Sequence, residues 1–88
     1  MTLTVEQFKA LSDIEQLQTI KAFNDTEQVE TIIDVLTIVG TENLSTSLLG
    51  ELGRAYNNNG NEKEAIKVLE SIDEEYRDAV WYYRCAYA

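Results

Sequence analysis

Histidine and proline are absent from this 88-residue sequence, and cysteine occurs once, at Cys85. Without histidine and with a single thiol, the usual metal sites and the Ser–His and Cys–His forms of nucleophilic catalysis lack their residues. The four glycines, at positions 40, 50, 53 and 60, fit neither of the common phosphate-binding patterns. We therefore predict a protein that is not an enzyme and that has no catalytic residues, no metal and no cofactor.

A secretory or membrane-bound location also lacks support. One cysteine cannot form an internal disulfide framework, which favours a reducing compartment. The N-terminal residues show no basic region followed by an apolar core, and no apolar run approaches the roughly 20 residues of a membrane-spanning helix. We predict a cytoplasmic protein without a membrane as a partner.

Positive charge is scarce. The chain has 7 lysine and arginine residues against 16 aspartate and glutamate residues, which gives a formal net charge of −9. This charge repels nucleic-acid backbones, so we predict no nucleic acid among the partners. Two interpretations of the acidity remain open, namely solubility and recognition of a basic partner.

The residues that are present indicate one small helical domain over residues 1–88. Apolar residues make up 44% and charged residues 26%, as in an ordinary globular chain, and no proline interrupts a helix. Thr4 and Gln7 have the spacing of a capping box, and so do Ser12 and Glu15. We therefore expect helices to begin at these two places.

Two further helices are expected in the first half of the chain. The helix that begins at Ser12 should end near Asn24 and turn one apolar stripe inward. The residues of this stripe are Ile14, Leu17, Ile20 and Phe23. The next helix should begin within 24–27, where acidic residues suit a first turn, and should end before Gly40.

The stretch 48–69 has the strongest pattern, and we expect the rest of the chain to pack around it. Apolar and small residues recur in it at helical spacing on both sides of a break at 57–60: Leu49, Leu52, Gly53, Tyr56, Ala65, Ile66 and Leu69. Gly53 and Ala65 are small, which suits positions where two helices approach closely. Gly60 can supply the positive φ of a tight turn between them.

The order Leu52-Gly53-x-x-Tyr56, then Gly60, then Ala65 and Leu69 resembles one tetratricopeptide repeat, with the match mainly over residues 46–88. The resemblance implies an all-α fold in which about five to six helices form antiparallel hairpins of an α-solenoid. The implied units are a degenerate helix pair at 12–39, a tetratricopeptide-like hairpin at 46–73, and the first helix of an incomplete following repeat at 75–88. We therefore expect that the chain is cut from a longer protein or that another copy covers its last helix.

In tetratricopeptide proteins the first helix of each repeat lines a groove that binds an extended peptide or a partner helix. The resemblance thus implies a non-enzymatic interaction module or scaffold, whose partner is a protein or a peptide. The slots that would face the groove are Ser47, Gly50, Arg54, Asn57, Asn58, Val80, Tyr83, Arg84 and Tyr87. Among them, the candidate partner-binding residues are Arg54, Asn57, Asn58, Tyr83, Arg84 and Tyr87. An arginine with an asparagine one turn on can hold a peptide carboxylate.

Other interpretations of these residues remain open. Arg54 and Arg84 can instead balance neighbouring carboxylates such as Glu51. The aromatic last helix, around Trp81, can serve as the interface of a homodimer or of a larger homo-oligomer with a structural role. The chain can also be a small acidic chaperone or regulator that masks a basic partner. Cys85 is interpreted as a buried and inert residue, with a reactive thiol as the alternative.

Overall fold

The fold is all-helical over the part of the chain that the computed structural model describes, residues 4–86. Six α-helices occur in these residues, together with two short 3-10 turns, and no β-strand. The helices are α1 (Val5–Lys9), α2 (Asp13–Asp25), α3 (Val29–Val39), α4 (Thr46–Asn58), α5 (Glu62–Glu70) and α6 (Ala79–Ala86). The prediction of an all-α chain with about five to six helices is confirmed for this range.

The first two helices begin at the capping boxes that the sequence predicts. The backbone N–H of Gln7 donates to Oγ1 of Thr4 at 3.1 Å, and the backbone N–H of Thr4 donates to Oε1 of Gln7 at 3.0 Å. Ser12 and Glu15 form the same reciprocal pair at 3.3 and 3.0 Å. Each box satisfies two backbone donors that a helix start otherwise leaves unpaired.

The boundary between α2 and α3 differs from the prediction. No helix begins within residues 24–27: α2 continues to Asp25, and α3 begins only at Val29, without a side-chain cap at its start. Thr26 closes α2 because its hydroxyl donates back to the carbonyls of Ala22 and Phe23. Glu27 then adopts a φ of 60°, which turns the chain away from the helix direction.

The predicted apolar stripe of α2 is wrong at its first residue. Ile20 is fully buried, but the side chain of Ile14 is 71% exposed. The reason is geometric: each residue of an α-helix turns by about 100°, so a strict three-residue row drifts around the axis. Ile14 and Phe23, nine positions apart, therefore lie on opposite sides of the helix.

Helix α4 lies at the centre of the molecule, as the sequence predicts for the stretch that contains it. It packs against α2, α3, α5 and α6, while α1 packs against α3. The largest side chains that are removed from solvent come from five of the helices: Phe8, Ile20, Ile32, Leu36, Leu52 and Leu69. Each of them contributes about 1.5–3 kcal/mol of transfer free energy to the folded state.

The contact between α4 and α5 depends on a residue without a side chain. A Cβ atom on Gly53 would lie 2.6 Å from Cδ2 and 2.7 Å from Cγ of Leu69, so only glycine permits this separation of the helices. Ala65, on α5, is fully buried. Gly60 follows α4 with a φ of 80°. The predicted roles of Gly53 as a close-approach residue and of Gly60 as a turn residue are confirmed.

Helix α6 is attached by polar contacts and by the packing of Trp81 and Cys85 against the core, although none of its residues is fully buried. Nε1 of Trp81 donates to the carbonyl of Leu69 at 2.7 Å. Before α6, Arg77 donates to the carbonyls of Glu70 and Ile72, each at 3.0 Å, and its guanidinium lies 4.5 Å from the centre of the Trp81 ring. These donors bond to carbonyls in and just beyond the last turn of α5, and the carbonyl of Leu69 accepts from the backbone N–H of Ile72 as well.

The start of the last helix also differs from the prediction. A helix was expected from residue 75, but residues 74–76 form a 3-10 turn and α6 begins at Ala79. Arg77 adopts an extended conformation, with φ −86° and ψ 103°, and its side chain reaches back toward the end of α5.

Within residues 4–86, no helix combines the length and the apolar character that crossing a lipid bilayer requires.

Candidate functional site

One depression on the surface gathers most of the predicted site residues. It has a volume of about 530 Å³, and we call it the α4–α6 groove because both helices line it. Its lining consists of Arg54, Asn57, Asn58, Val80, Tyr83 and Arg84. Residues 54, 57 and 58 share one face of α4, and residues 80, 83 and 84 share one face of α6, as the 3.6-residue period requires. The remaining candidate, Tyr87, lies outside the described residues.

Ser47 and Gly50, two other slots of the predicted groove, line a second depression of about 200 Å³. This second depression shares Val80 and Arg84 with the α4–α6 groove, and Glu51 lines it as well. Arg84 therefore lies at the boundary between the two depressions, with Glu51 on the side away from the groove.

The guanidinium of Arg84 is paired with the carboxylate of Glu51. Nη2 of Arg84 lies 3.2 Å from Oε1 of Glu51, and the two side chains are 18% and 6% exposed. A Cβ atom on Gly50 would collide with Nη1 of Arg84, so the glycine makes room for this pair. The interpretation in which Arg84 balances Glu51 is thus the arrangement found in the structure.

Asn57 fixes the main chain of α6. Its Nδ2 donates to the carbonyl of Arg84 at 2.9 Å. Its Oδ1 is buried and accepts no hydrogen bond from any residue of the described range. An unpaired buried acceptor costs roughly 1–3 kcal/mol, so this amide serves the attachment of α6 at some expense to stability.

Arg54 differs from Arg84 in its surroundings. Its side chain is exposed, and it makes no hydrogen bond or ion pair with any residue between 4 and 86. Asn58 beside it is exposed too, and the side chain of Tyr83 is 62% exposed. No carboxylate of the described part of the chain lines the groove. Arg54 is therefore the cation of this groove that no carboxylate of the described range neutralises.

Glu51 is the residue of this region that the sequence indicated only as a neighbour of the two arginines. It lies on α4 between Gly50 and Leu52, both of which are buried. A carboxylate at such a position is unusual, because charged side chains are almost never fully buried unless they are paired. A search for a cation elsewhere in the chain could have started from this signal.

Cys85 lies at the inner side of α6 and is partly buried rather than fully buried. Burial raises the pKa of its thiol, the carboxylate of Glu70 raises it further, and Arg77 acts in the opposite direction. A raised pKa lowers the thiolate fraction at neutral pH, and the thiolate is the reactive form.

Within the described range, no group of three or more metal-binding side chains comes together.

Comparison of the chain with models of protein families, with curated proteins and with solved structures gave no match. The resemblance to a tetratricopeptide repeat therefore rests on the residues of the chain itself.

Proposed function

We propose that this chain is a protein-interaction module of the tetratricopeptide-like, helical-repeat type. In this proposal the α4–α6 groove binds a carboxylate-bearing segment of a partner protein. The observation that carries the proposal is Arg54, an exposed cation in a chain of net charge −9. Among residues 4–86, no carboxylate pairs with Arg54 and none lines its groove. A cation that no residue of the described range neutralises suits an external carboxylate.

Helix packing supports the repeat architecture. Helix α2 packs against α3 and α4, and α4 packs in the same way against α5 and α6. A stack of helix pairs has this order, since the first helix of each pair contacts its own partner and the first helix of the next pair. The close approach of α4 and α5 at Gly53 is a second feature that suits a helix hairpin.

The size and chemistry of the groove favour a short segment over a large surface. Its volume of about 530 Å³ is within the range of ordinary ligand sites. An exposed ion pair with Arg54 is worth only about 0–1 kcal/mol by itself. Apolar contact with Val80 and Tyr83 must therefore add most of the affinity, and we expect dissociation constants in the micromolar range or weaker.

The test is selection of peptides from a random heptapeptide display library on the wild-type chain, followed by affinity measurement with the most enriched peptide. We expect enriched peptides to carry a carboxylate, and Arg54→Gln to weaken binding by about two- to fivefold, because an exposed ion pair contributes up to about 1 kcal/mol. Lys63→Gln is the matched control: it removes one exposed positive charge from α5, outside the groove. Equal binding by the two variants, or no enriched peptide, would contradict the proposal.

Self-association is a second candidate function, and the exposed large side chains of α6 favour it. Tyr82 and Tyr83 are each 62% exposed and Val80 is 49% exposed, so three large apolar side chains of one short helix face solvent. Light scattering over a dilution series measures the molar mass. A dimer that Tyr82→Ser dissociates and that Ile14→Ser leaves intact would support this function, since Ile14 is equally apolar and exposed but lies on α2. A monomer at all concentrations would exclude it.

The proposal includes a non-enzymatic role in the cytoplasm, without a cofactor. These parts rest on the composition of the chain, above all on the absence of histidine and the single cysteine. Fractionation of cells that express the tagged protein tests the compartment directly.

A further inference from the structure

We infer that Glu51 determines which ligand charge the α4–α6 groove accepts. By neutralising Arg84, Glu51 leaves Arg54 as the one groove cation that no residue within 4–86 pairs with, so the groove selects segments with one carboxylate over more acidic segments. The inference rests on the proposed function, because it requires an occupant in this groove.

The position of Glu51 behind Arg84 is the first step. Arg84 lines both depressions, whereas Glu51 lines only the second one. The bond of 3.2 Å from Nη2 of Arg84 to Oε1 of Glu51 therefore draws the guanidinium charge away from the groove. A ligand in the groove meets the side chain of Arg84 with its charge already balanced.

Three constraints keep Arg84 in this position. Glu51 is 6% exposed, and a buried carboxylate that loses its partner is strongly unfavourable. Gly50 leaves the space that Nη1 occupies. Asn57 holds the main-chain carbonyl of Arg84 at 2.9 Å, so the backbone cannot follow a ligand into the groove. Arg84 is thus held in place. A ligand that paired with its guanidinium would leave the carboxylate of Glu51 buried without a partner.

The resulting charge of the groove limits its ligands. Arg54 pairs with the first carboxylate of a segment, but a second carboxylate meets a neutral ion pair and, beyond it, the field of a chain with net charge −9. Repulsion between like charges at close distance weakens the complex, and salt screens this repulsion only in part. Additional acidic residues in the ligand are therefore repelled rather than bound.

The experiment compares ligand charge preference in three proteins. The random heptapeptide library is selected on the wild type, on Glu51→Gln and on Glu62→Gln. Gln at position 51 keeps the shape and can still accept a hydrogen bond from Arg84, while it frees the positive charge. Glu62→Gln is the matched control, because it removes an exposed carboxylate of α5 outside the groove. Fluorescence anisotropy then measures the most enriched wild-type peptide and a version with one aspartate added beside its carboxylate.

We expect peptides selected on the wild type to carry mostly one acidic residue, and the doubly acidic peptide to bind more weakly than its parent. Glu51→Gln should bind the doubly acidic peptide roughly three- to tenfold more tightly than the wild type does. The reason is that the substitution leaves Arg84 as a second, partly exposed cation that can attract the added carboxylate. Its affinity for the singly acidic peptide should change much less. Circular dichroism checks that both variants keep their helical content.

Two outcomes overturn the inference while the proposed function stands. One is an equal gain in Glu51→Gln and Glu62→Gln, which would mean that only the net charge matters. The other is a wild-type selection rich in peptides with two or more acidic residues, a result that does not depend on the folding of any variant. By contrast, peptides whose binding is insensitive to Arg54→Gln would refute the proposed function itself.

Discussion

The contact between Gly53 and Leu69 predicts a strong effect of one methyl group. The change is Gly53→Ala on the central helix α4. The added Cβ would lie 2.6 and 2.7 Å from Cδ2 and Cγ of Leu69, whose side chain is fully buried. Because Cγ is involved and not only a terminal methyl group, rotation about χ2 cannot relieve the clash, so α4 and α5 must separate or Leu69 must change χ1 and leave its place in the core.

The magnitude follows from two opposing terms. Overpacking of a filled core costs about 1–3 kcal/mol, and a clash with two inner atoms belongs at the upper end of this range. Alanine favours the helix by about 1 kcal/mol relative to glycine. We therefore expect the free energy of unfolding to fall by about 2 kcal/mol. For a domain of this size the corresponding decrease in Tm is about 8–16 °C.

Urea denaturation followed by circular dichroism measures the change. Ser47→Ala, at an exposed position of the same helix, is the control for helix propensity and should leave stability nearly unchanged. In a Leu69→Ala background the clash is gone, so Gly53→Ala should become stabilising by about 1 kcal/mol. If Gly53→Ala in the wild-type background leaves the free energy of unfolding unchanged or increases it, the close approach of the two helices is refuted.

Three other predictions concern particular groups. Trp81→Phe removes the hydrogen bond to the Leu69 carbonyl and should destabilise the protein by about 1–3 kcal/mol, with faster amide exchange in α6; unchanged exchange would show that this bond does not hold the helix. The backbone and hydroxyl of Ser12 lower the pKa of Glu15 below its ordinary 4.5, so this carboxylate stabilises the fold above that pH and the stabilisation is lost as the pH falls through the lowered pKa. Glu15→Gln should therefore lose less stability than the wild type on acidification below pH 4.5, as thermal melts at several pH values can show, and identical pH profiles would contradict this. Cys85, whose pKa is raised, should react with a disulfide reagent more slowly in the folded protein at neutral pH than in denaturant, and equal rates would show an accessible and activated thiol.

Local signals in the sequence were sufficient for much of the fold. The capping boxes at Thr4 and Ser12 involve residues three positions apart, and both are present in the structure. The role of Gly53 also follows from its neighbours, since a glycine within an apolar helix face indicates close packing. These predictions succeed because the interactions lie within one helix or between adjacent helices.

Contacts between distant residues were not predictable in the same way. Glu51 and Arg84 are 33 positions apart, and no spacing rule relates them. The late start of α6 is also linked to contacts outside the helix, because Arg77, which has an extended backbone, donates to the carbonyls of Glu70 and Ile72. The candidate groove could be drawn from helix periodicity, but the difference between a neutralised Arg84 and an unpaired Arg54 required the three-dimensional structure.

The attachment of α6 to carbonyl groups has a consequence for the order of folding. The acceptors for Trp81 and Arg77 are main-chain oxygens at residues 69, 70 and 72, and they are correctly arranged only after α5 has formed its last turn. We therefore expect α6 to attach after the hairpin of α4 and α5 has formed. Trp81 is the one tryptophan of the chain, so a fluorescence change that follows the gain of helical content during refolding would report this step.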